Sequence, residues 1–260
     1  MFVLLQGKTV IITGVGGGLG RECVTRALRD GANVVVAART QETLDTLCAE
    51  LDPDGKRLVA RATDITDAEG CAALVDLAVA TFGSVDAVVQ VAAYEYVFGG
   101  LHETDLDTWR QAFETNVLGA MTILRPVAKA MEAGGGSIVL IGSQSMFKPS
   151  MPQAGYAASK AALLTAMYYL ADELGAHDIR CNMVVPSWMW GPPVQMYVGM
   201  QADSKGISRE EALHDIVGDF PLGRMTEDGE VADVVMFFAS DLSKAVTGQH
   251  LMVNSGELMR

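Results

Sequence analysis

Tyr156 and Lys160 lie four residues apart, and together they are the strongest candidates for proton-transfer chemistry in this sequence. On a helix, this spacing places both side chains on the same face, one turn apart. A free phenol has a pKa of about 10, so acid–base catalysis near neutral pH requires that pKa to fall by roughly 2–3 units. A neighbouring ammonium favours the phenolate. The pair alone is equally compatible with an ordinary contact on a helix surface.

Two polar residues on the N-terminal side of Tyr156 extend this candidate site. Ser143 follows a buried apolar run, so its hydroxyl is expected at a strand end, where it could hydrogen-bond a substrate oxygen. Asn116 lies inside a long helical pattern, where an amide is a poor helix former and indicates a specific role, such as a water chain to Lys160. The alternatives are a serine in an ordinary turn and a solvated asparagine.

A glycine-rich turn separates the first predicted strand from the first predicted helix. Glycines allow the backbone to approach a phosphate closely, and a helix N-terminus offers unpaired N–H groups with a partial positive charge. This context favours a binding turn for the pyrophosphate of a dinucleotide over a tight turn with no ligand. The predicted contacts are Gly14, Gly16, Gly18, Leu19 and Gly20.

The end of the second predicted strand indicates which dinucleotide would bind. NAD enzymes usually carry an acidic residue there, about 20 residues past the glycines, which binds the ribose 2′-hydroxyl. This sequence has Ala38 followed by Arg39, and a guanidinium can pair with a 2′-phosphate. The sequence therefore favours NADP(H), with NAD(H) as the second choice. The alternative for Arg39 is a solvated turn residue.

Short apolar runs alternate with longer helical patterns along most of the chain. The predicted strands are Thr9–Thr13, Asn33–Ala38, Leu58–Ala62, Ala87–Val91, Ser137–Ile141, Cys181–Val185 and Gln249–Val253. The predicted helices are Gly18–Asp30, Thr40–Leu51, Asp67–Phe82, Leu106–Glu132, Gly155–Gly175, Ser208–Val217 and Glu230–Ser240. Continuous apolar runs are typical of strands covered on both faces, and their alternation with helices predicts one α/β domain over residues 1–260, with a doubly wound parallel sheet.

Two segments depart from this alternation. The long pattern Leu106–Glu132 contains Pro126, so we expect a kink one turn before the proline. The segment Pro186–Arg224 has a helical pattern only around Ser208–Val217. Because a long irregular segment inside a compact domain is usually functional, we expect residues 186–224 to form a lid.

The composition argues against several classes of function. The 260 residues carry a formal net charge of −13 with no basic cluster, which argues against a nucleic-acid partner. The apolar runs are far shorter than the ~18–20 residues of a membrane-spanning helix, and the N-terminal residues do not resemble a secretion signal. The four widely spaced cysteines are expected to be reduced thiols in a cytoplasmic protein. No histidine set has the spacing of metal ligands, so no metal is expected.

The glycine turn Thr13–Gly20, followed by Asn116, Ser143, Tyr156 and Lys160 in this order and spacing, resembles the short-chain dehydrogenase/reductase family. The resemblance extends from about residue 6 to the C-terminus. It implies a single Rossmann-type domain with a parallel sheet of about seven strands. It also implies a nicotinamide dinucleotide cofactor and, frequently, a homotetramer.

The resemblance assigns a role to each matching residue. Tyr156 would donate or accept the proton, and Lys160 would bind the nicotinamide ribose and lower the pKa of the tyrosine. Ser143 would orient the substrate, and Asn116 would support a proton relay. Asp64 and Ile65, after the third strand, would both contact the adenine, and Asp64 would hold it.

The sequence departs from the family pattern in two places. The family usually has the motif N-N-A-G lining the cofactor channel, whereas this chain has Gln90–Ala93, with Ala92 in the channel. The difference puts the local packing in doubt. After Pro186 the family commonly has a threonine that binds the carboxamide, whereas this chain has Ser187–Gly191. The carboxamide contacts would then come from the backbone, at Met189.

The loops expected around the pocket are rich in aromatic and methionine side chains. These are Tyr94, Tyr96, Phe98, Met146, Phe147, Trp188, Met189, Trp190, Met196 and Tyr197. They indicate a lipophilic alcohol or ketone as substrate, or alternatively the packing of a lid or subunit interface. The basic residues near the pocket are limited to Lys148 and Arg224. The leading hypothesis is NADP(H)-dependent carbonyl reduction or alcohol oxidation; the alternatives are reduction of a 3-oxoacyl thioester and a cofactor-binding scaffold without turnover.

Overall fold

A parallel sheet forms the centre of the protein in a computed structural model that describes residues 3–259. The strands within this range are β1 (Thr9–Thr13), β2 (Asn33–Ala38), β3 (Leu58–Ala62), β4 (Ala87–Gln90), β5 (Gly136–Ile141), β6 (Ile179–Pro186) and β7 (His250–Val253). Their order is β3-β2-β1-β4-β5-β6-β7, and all neighbours are parallel. From β1 the chain adds strands to one side of the sheet, and from β4 it adds them to the other side. Doubly wound sheets bind ligands at this switch point, beyond the carboxyl ends of the strands.

Helices cover both faces of this sheet. The α-helices of residues 3–259 are α1 (Leu19–Arg29), α2 (Gln41–Leu51), α3 (Ala68–Phe82), α4 (Leu106–Phe113), α5 (Ala120–Met131), α6 (Ala154–Leu174), α7 (Pro192–Lys205), α8 (Arg209–Val217) and α9 (Asp228–Ala239). Apolar side chains of α1, α2 and α9 pack on one face. Those of α3, α5 and α6 pack on the other face. The predicted fold class is therefore confirmed.

The predicted strands β1, β2 and β3 agree with the structure residue for residue. The expectation of cover on both faces is wrong for β3, in which Arg61 and Ala62 are exposed. These residues are exposed because β3 is an edge strand, with a neighbouring strand on one side only. The remaining strand boundaries differ from the prediction by one or two residues.

The long helix predicted between Leu106 and Glu132 is interrupted by a π-helical segment, Glu114–Gly119. This irregularity lies upstream of the position one turn before Pro126, where a kink is predicted, and α5 continues through the proline, so the kink itself stays a prediction. Asn116 lies in this segment with its side chain hydrogen-bonded outside the helix, as described below. π-Helical turns of this kind are frequent at functional sites.

The predicted lid segment contains more helix than the sequence indicated. The start of α8 matches the prediction, with Ser208 as its N-cap in a capping box. Helix α7 was missed because Pro192 and Pro193 read as helix breakers, whereas proline is well suited to the first turn of a helix. The two helices share a small apolar core that includes Val198 and Phe220.

Two expectations from composition can be compared with the structure. The four cysteines are unpaired thiols, and Cys23, Cys71 and Cys181 are buried, which confirms that part of the prediction. Among the helices of residues 3–259, none has the length and apolar character needed to cross a membrane.

Candidate active site

Tyr156 lies in the first turn of α6, and Lys160 follows one turn later on the same face. The Lys160 side chain is almost fully buried, and its Nζ donates a hydrogen bond of 2.9 Å to the carbonyl oxygen of Ile141 at the end of β5. The distance from this Nζ to the centre of the Tyr156 ring is 5.8 Å. The structure therefore brings the predicted proton-transfer pair together and anchors its cation to the sheet.

Ser143 lies two residues beyond the end of β5, where its side chain acts on the phenol of Tyr156 and lowers the pKa of that phenol. Its Oγ also accepts hydrogen bonds from the Ser145 hydroxyl, at 2.9 Å, and from the Ser145 backbone N–H, at 3.3 Å. The alternative, in which Ser143 only stabilises a turn, does not account for its contact with Tyr156. Sequence reasoning missed Ser145, for which the only signal was a second hydroxyl two residues after Ser143.

Asn116 is fully buried and its side-chain amide is fully hydrogen-bonded. Its Oδ1 accepts from the backbone N–H of Tyr94 at 2.7 Å, and its Nδ2 donates to the Tyr94 carbonyl and to Ser159 Oγ, both at 2.9 Å. The alternative of a solvated asparagine is therefore wrong. The amide joins the loop after β4 to α6 one residue before Lys160, whereas the water chain to Lys160 stays a prediction.

The electrostatics of Tyr156 differ from the expectation. Burial raises the pKa of its phenol, the negative charge of Glu95 raises it further, and the hydrogen bond with Ser143 lowers it. Burial also lowers the pKa of Lys160 to about 8, against the opposing effect of Glu95. The causes that raise the pKa of the phenol are burial, which disfavours the phenolate, and the charge of Glu95. The lowering by Lys160 that the resemblance implies stays a prediction.

Glu95 is a residue of this site that sequence reasoning did not identify. It is exposed on the loop after β4, and its backbone carbonyl accepts a hydrogen bond from Gln153, which precedes α6. Its charge acts on both Tyr156 and Lys160. A lone acidic residue in a loop carries no recognisable motif, so only the fold could place it beside the phenol.

The glycines of the turn after β1 serve two different purposes. Gly14 has a φ of +73°, and a Cβ there would lie 2.2 Å from the backbone nitrogen of Ala92. A Cβ on Gly20 would lie 2.5 Å from the carbonyl oxygen of Gly14. By contrast, a Cβ on Gly16 or Gly17 would meet no atom of residues 3–259 within 4 Å. The first two glycines are needed for packing, and the other two leave open space.

This open space fits the pyrophosphate of a dinucleotide. It lies beside the start of α1 at Leu19, where Gly18 provides no side-chain cap for the first backbone N–H groups. Unpaired N–H groups at a helix N-terminus attract anions. The turn therefore has the shape and the donors that the predicted cofactor would need.

Arg39 and Asp64 lie at the carboxyl ends of the neighbouring strands β2 and β3, and both are exposed. The Asp64 carboxylate accepts hydrogen bonds from the backbone N–H and hydroxyl of Thr66, at 2.9 and 2.8 Å. These bonds lower the pKa of Asp64, and the charge of Arg39 lowers it further. Ile65 is buried, and its side chain would contact a Cβ on Gly119.

Gln90 replaces the asparagine of the family pattern without leaving its neighbours unpaired. Its side-chain oxygen accepts a hydrogen bond from the hydroxyl of Thr13, and its Nε2 donates to the carbonyl of Ala92 at 3.0 Å. Gln90 therefore links β1 to the chain after β4, which answers the doubt about packing at this position.

Pro186 is buried at the end of β6, and Met189 forms an isolated parallel bridge with Thr226. The Met189 carbonyl accepts from the Gly191 N–H at 2.7 Å. Within the described chain, the N–H of Met189 has no hydrogen-bond partner, so it is free to serve as the predicted backbone contact.

Glu257 joins the two loops that follow β5 and β6. Its side chain is only 3% exposed and pairs with Lys148 at 3.0 Å, while the hydroxyl of Ser187 also donates to it. The other basic residue near the pocket, Arg224, pairs with Glu230. Both predicted basic residues are thus already neutralised by carboxylates of this chain.

The aromatic and methionine residues of the predicted pocket separate into two groups. Five of them pack partly buried against the apolar cores and form walls: Met146, Phe147, Trp188, Met189 and Trp190. Of the other five, Tyr96, Phe98 and Met196 are exposed, and Tyr94 and Tyr197 are partly buried. Tyr94 and Tyr96 meet edge to face at 5.8 Å, and Tyr197 stacks on Trp188 at 5.4 Å.

Comparisons with known proteins agree with this arrangement. A family model described as enoyl-(acyl carrier protein) reductase matches residues 14–257. The L-rhamnose 1-dehydrogenase (NAD(P)(+)) of Sphingomonas sp. (strain SKA58) is 31% identical over 256 residues, covering 97% of each protein. A crystal structure of an actinorhodin polyketide ketoreductase variant with NADPH has a TM-score of 0.86 and 31% identity, with 96% of each chain covered.

A crystal structure of NAD⁺-bound xylitol dehydrogenase has a TM-score of 0.88 and 26% identity, covering 97% of this chain and 99% of its own. The similarity thus spans the glycine turn, the Ser–Tyr–Lys cluster and the lid segment together. The chain belongs to the short-chain dehydrogenase/reductase family and is an NAD(P)-dependent oxidoreductase of alcohols and carbonyl compounds.

Proposed function

We propose that this protein interconverts a ketone and a secondary alcohol with NADP(H), and that Tyr156 donates or accepts the proton on the substrate oxygen. The observation that carries this proposal is the juxtaposition of three groups: the Ser143 hydroxyl, which lowers the pKa of the Tyr156 phenol, that phenol, and the Lys160 ammonium, which lies 5.8 Å from the centre of the ring. A substrate oxygen held by both hydroxyls would be oriented and protonated in one place. When bound, the nicotinamide supplies or accepts the hydride.

The raised pKa of Tyr156 keeps its phenol protonated near neutral pH, and the protonated phenol is the form that can donate a proton to a carbonyl oxygen. Alcohol oxidation needs the phenolate as base, so its rate is expected to rise with pH.

The decisive test of this proposal is the Tyr156→Phe variant. We expect kcat to fall by about a hundredfold to ten-thousandfold, because the ring is kept and only the proton-transfer group is lost. Dinucleotide affinity should stay close to that of the wild type. Tyr169→Phe, an exposed tyrosine of the same helix, is the matched control and should keep full activity. An unchanged kcat in Tyr156→Phe would remove this residue from the mechanism.

Arg39 supports a preference for NADP(H) over NAD(H). Its guanidinium is exposed at the end of β2 and, among residues 3–259, has no ion pair or hydrogen bond of its own. It is therefore free to pair with a 2′-phosphate. The relatives do not decide the preference, because one solved structure holds NADPH and another holds NAD⁺.

Fluorescence titration of Arg39→Ala tests this preference. We expect NADPH affinity to fall about tenfold, the size of one lost charge-assisted pair, while NADH affinity stays unchanged. Arg61→Ala removes an equally exposed arginine from β3 and should affect neither dinucleotide. Tighter binding of NADH than of NADPH by the wild type would contradict the proposal.

We also propose a substrate with an apolar body. The support is the group of exposed aromatic and methionine side chains in the loop after β4 and in the predicted lid segment, residues 186–224, such as Tyr96 and Met196. Reduction of a carrier-bound 3-oxoacyl thioester has less support, because Lys148 and Arg224 are already paired with carboxylates.

One observation favours a second substrate class, a polyhydroxylated compound. Glu95 offers an exposed carboxylate beside Tyr156, and carboxylates accept hydrogen bonds from hydroxyl groups. A steady-state screen of cyclic ketones, secondary alcohols and sugars with both dinucleotides separates the two classes. Turnover confined to sugars would contradict the apolar substrate and support the second class.

A homotetramer is proposed as the assembly. Exposed apolar side chains on α4 and the π-helical segment, including Leu106, Phe113 and Leu118, support an interface there. Light scattering coupled to gel filtration measures the mass directly, and a monomer at micromolar concentration would contradict the proposal.

A further inference from the structure

Asp228, the first residue of α9, lies where the glycine turn meets the loop after β6. Its Oδ2 would be 3.5 Å from a Cβ on Gly18, the residue before α1, and 3.5 Å from a Cβ on Gly191, the residue before α7. The carboxylate is half-buried. One negatively charged group therefore lies against both segments that frame the proposed pyrophosphate site.

The charges around Asp228 are mainly of its own sign. Burial raises the pKa of its carboxyl, and the negative charges of Glu22, on α1, and Glu227 raise it further. The nearby cation, Arg26, is already paired with Glu22 at 3.5 Å and with Asp233 at 3.1 Å. In the part of the chain that the structure describes, the Asp228 side chain has no hydrogen bond and no ion pair.

The charge of Asp228 also acts on neighbouring groups of α1. Burial raises the pKa of the Cys23 thiol, and Glu22 and Asp228 raise it further. A Cβ on Gly229, next to Asp228, would lie 2.3 Å from an Arg26 nitrogen and 3.2 Å from Glu22 Oε2. The titratable groups facing Asp228 are therefore Glu22, Cys23, Arg26 and Glu227.

We infer that Asp228 sets the affinity of the glycine turn for its dinucleotide, and that binding of the pyrophosphate is accompanied by uptake of one proton at this carboxylate. The inference rests on the proposed cofactor function of the turn. A pyrophosphate brings negative charge next to an unpaired carboxylate, so the complex favours the protonated form. The proton comes from the solvent, and no covalent bond of the dinucleotide changes.

The sign of the pH dependence follows from this linkage. The neutral carboxylic acid does not repel the phosphates, and its O–H can donate a hydrogen bond to them. As pH rises through the raised pKa of Asp228, a proton must be taken up for binding, so affinity falls. An aspartate that stays ionised throughout the titration and lies far from the ligand would produce no such pH dependence of binding.

The test is titration calorimetry with NADH and NADPH on the full-length protein, between about pH 5 and pH 8, in buffers with different ionisation enthalpies. For the wild type we expect net proton uptake and weaker binding at higher pH. For Asp228→Asn we expect binding about tenfold tighter at neutral pH, without that uptake. Protonation of the 2′-phosphate of NADPH cancels in the difference between the two proteins, and NADH lacks this group.

Asp203→Asn is the matched control, because it makes the same change of charge at an exposed position on α7. It should behave as the wild type. Equal proton uptake in wild type and Asp228→Asn, or weaker binding by Asp228→Asn, would overturn the inference. If Asp228→Asn does not fold, wild-type binding without proton uptake in any buffer overturns it equally. Failure of the wild type to bind either dinucleotide would instead contradict the proposed function.

Discussion

The proton-transfer centre and the glycine turn both lie beyond the carboxyl ends of the strands, but they are built differently. At the proton-transfer centre, Asn116 and Lys160 are buried and hydrogen-bonded to other parts of this chain. At the glycine turn, Gly16 and Gly17 face open space, and the charge of Asp228 is unpaired. The comparison shows a catalytic centre that the chain itself organises and a binding surface that leaves open space for its ligand.

Substitutions in the glycine turn give the largest contrast. Gly14→Ala should destabilise the protein by about 3 kcal/mol or more, because the alanine would need a positive φ and its Cβ would overlap the backbone of Ala92. Gly16→Ala should leave the thermal midpoint unchanged and weaken dinucleotide binding about tenfold or more, because its Cβ enters the space kept for the phosphates. Thermal unfolding and dinucleotide titration measure the two effects separately. Equal loss of stability in both variants would remove the distinction between packing and binding glycines.

Asn116→Ala tests whether the proton-transfer centre is held by its hydrogen bonds. The substitution leaves the N–H and carbonyl of Tyr94 without this partner and removes the bond that the Ser159 hydroxyl accepts, at a cost of about 2–3 kcal/mol. We expect lower stability in chemical denaturation together with a lower kcat. Gln111→Ala removes an exposed amide from α4 and serves as the control. A fully stable Asn116→Ala protein would show that these bonds do not hold the centre together.

Glu95→Gln gives a smaller, electrostatic effect. Removing this charge should lower the pKa of Tyr156, because Glu95 raises it in the wild type. The rate of alcohol oxidation, which needs the phenolate, should then rise at a lower pH than in the wild type. Because Lys160 also responds to Glu95, the measured profile reports the pair as a unit. Glu132→Gln, a distant exposed residue, should leave the profile unchanged, and an unshifted profile in Glu95→Gln would contradict the assignment.

Sequence patterns were sufficient wherever a local rule determines the structure. The run Thr9–Thr13 became β1 because an apolar stretch before a glycine turn has few alternatives, and the spacing of Tyr156 and Lys160 fixed their common face once the helix formed. The same holds for Ser208, whose capping box marks the start of α8. These features depend on residues close together in the chain.

Features that depend on distant contacts could not be read from the sequence. The π-helical segment around Asn116 reflects bonds to Tyr94 and Ser159, which are 22 and 43 residues away. The raised pKa of Tyr156 depends on Glu95 and on burial, neither of which leaves a motif. Helix α7 depends on packing against α8, which outweighs the breaker-like appearance of its first residues.

Glu257 has a mechanical consequence for the entrance of the pocket. Because its carboxylate binds Lys148 in the loop after β5 and Ser187 in the loop after β6, neither loop can move away from the other by itself while both contacts persist. Widening the entrance for a bulky molecule then takes either a joint displacement of the two loops or rupture of one contact. The motions of the two loops are therefore coupled through Glu257.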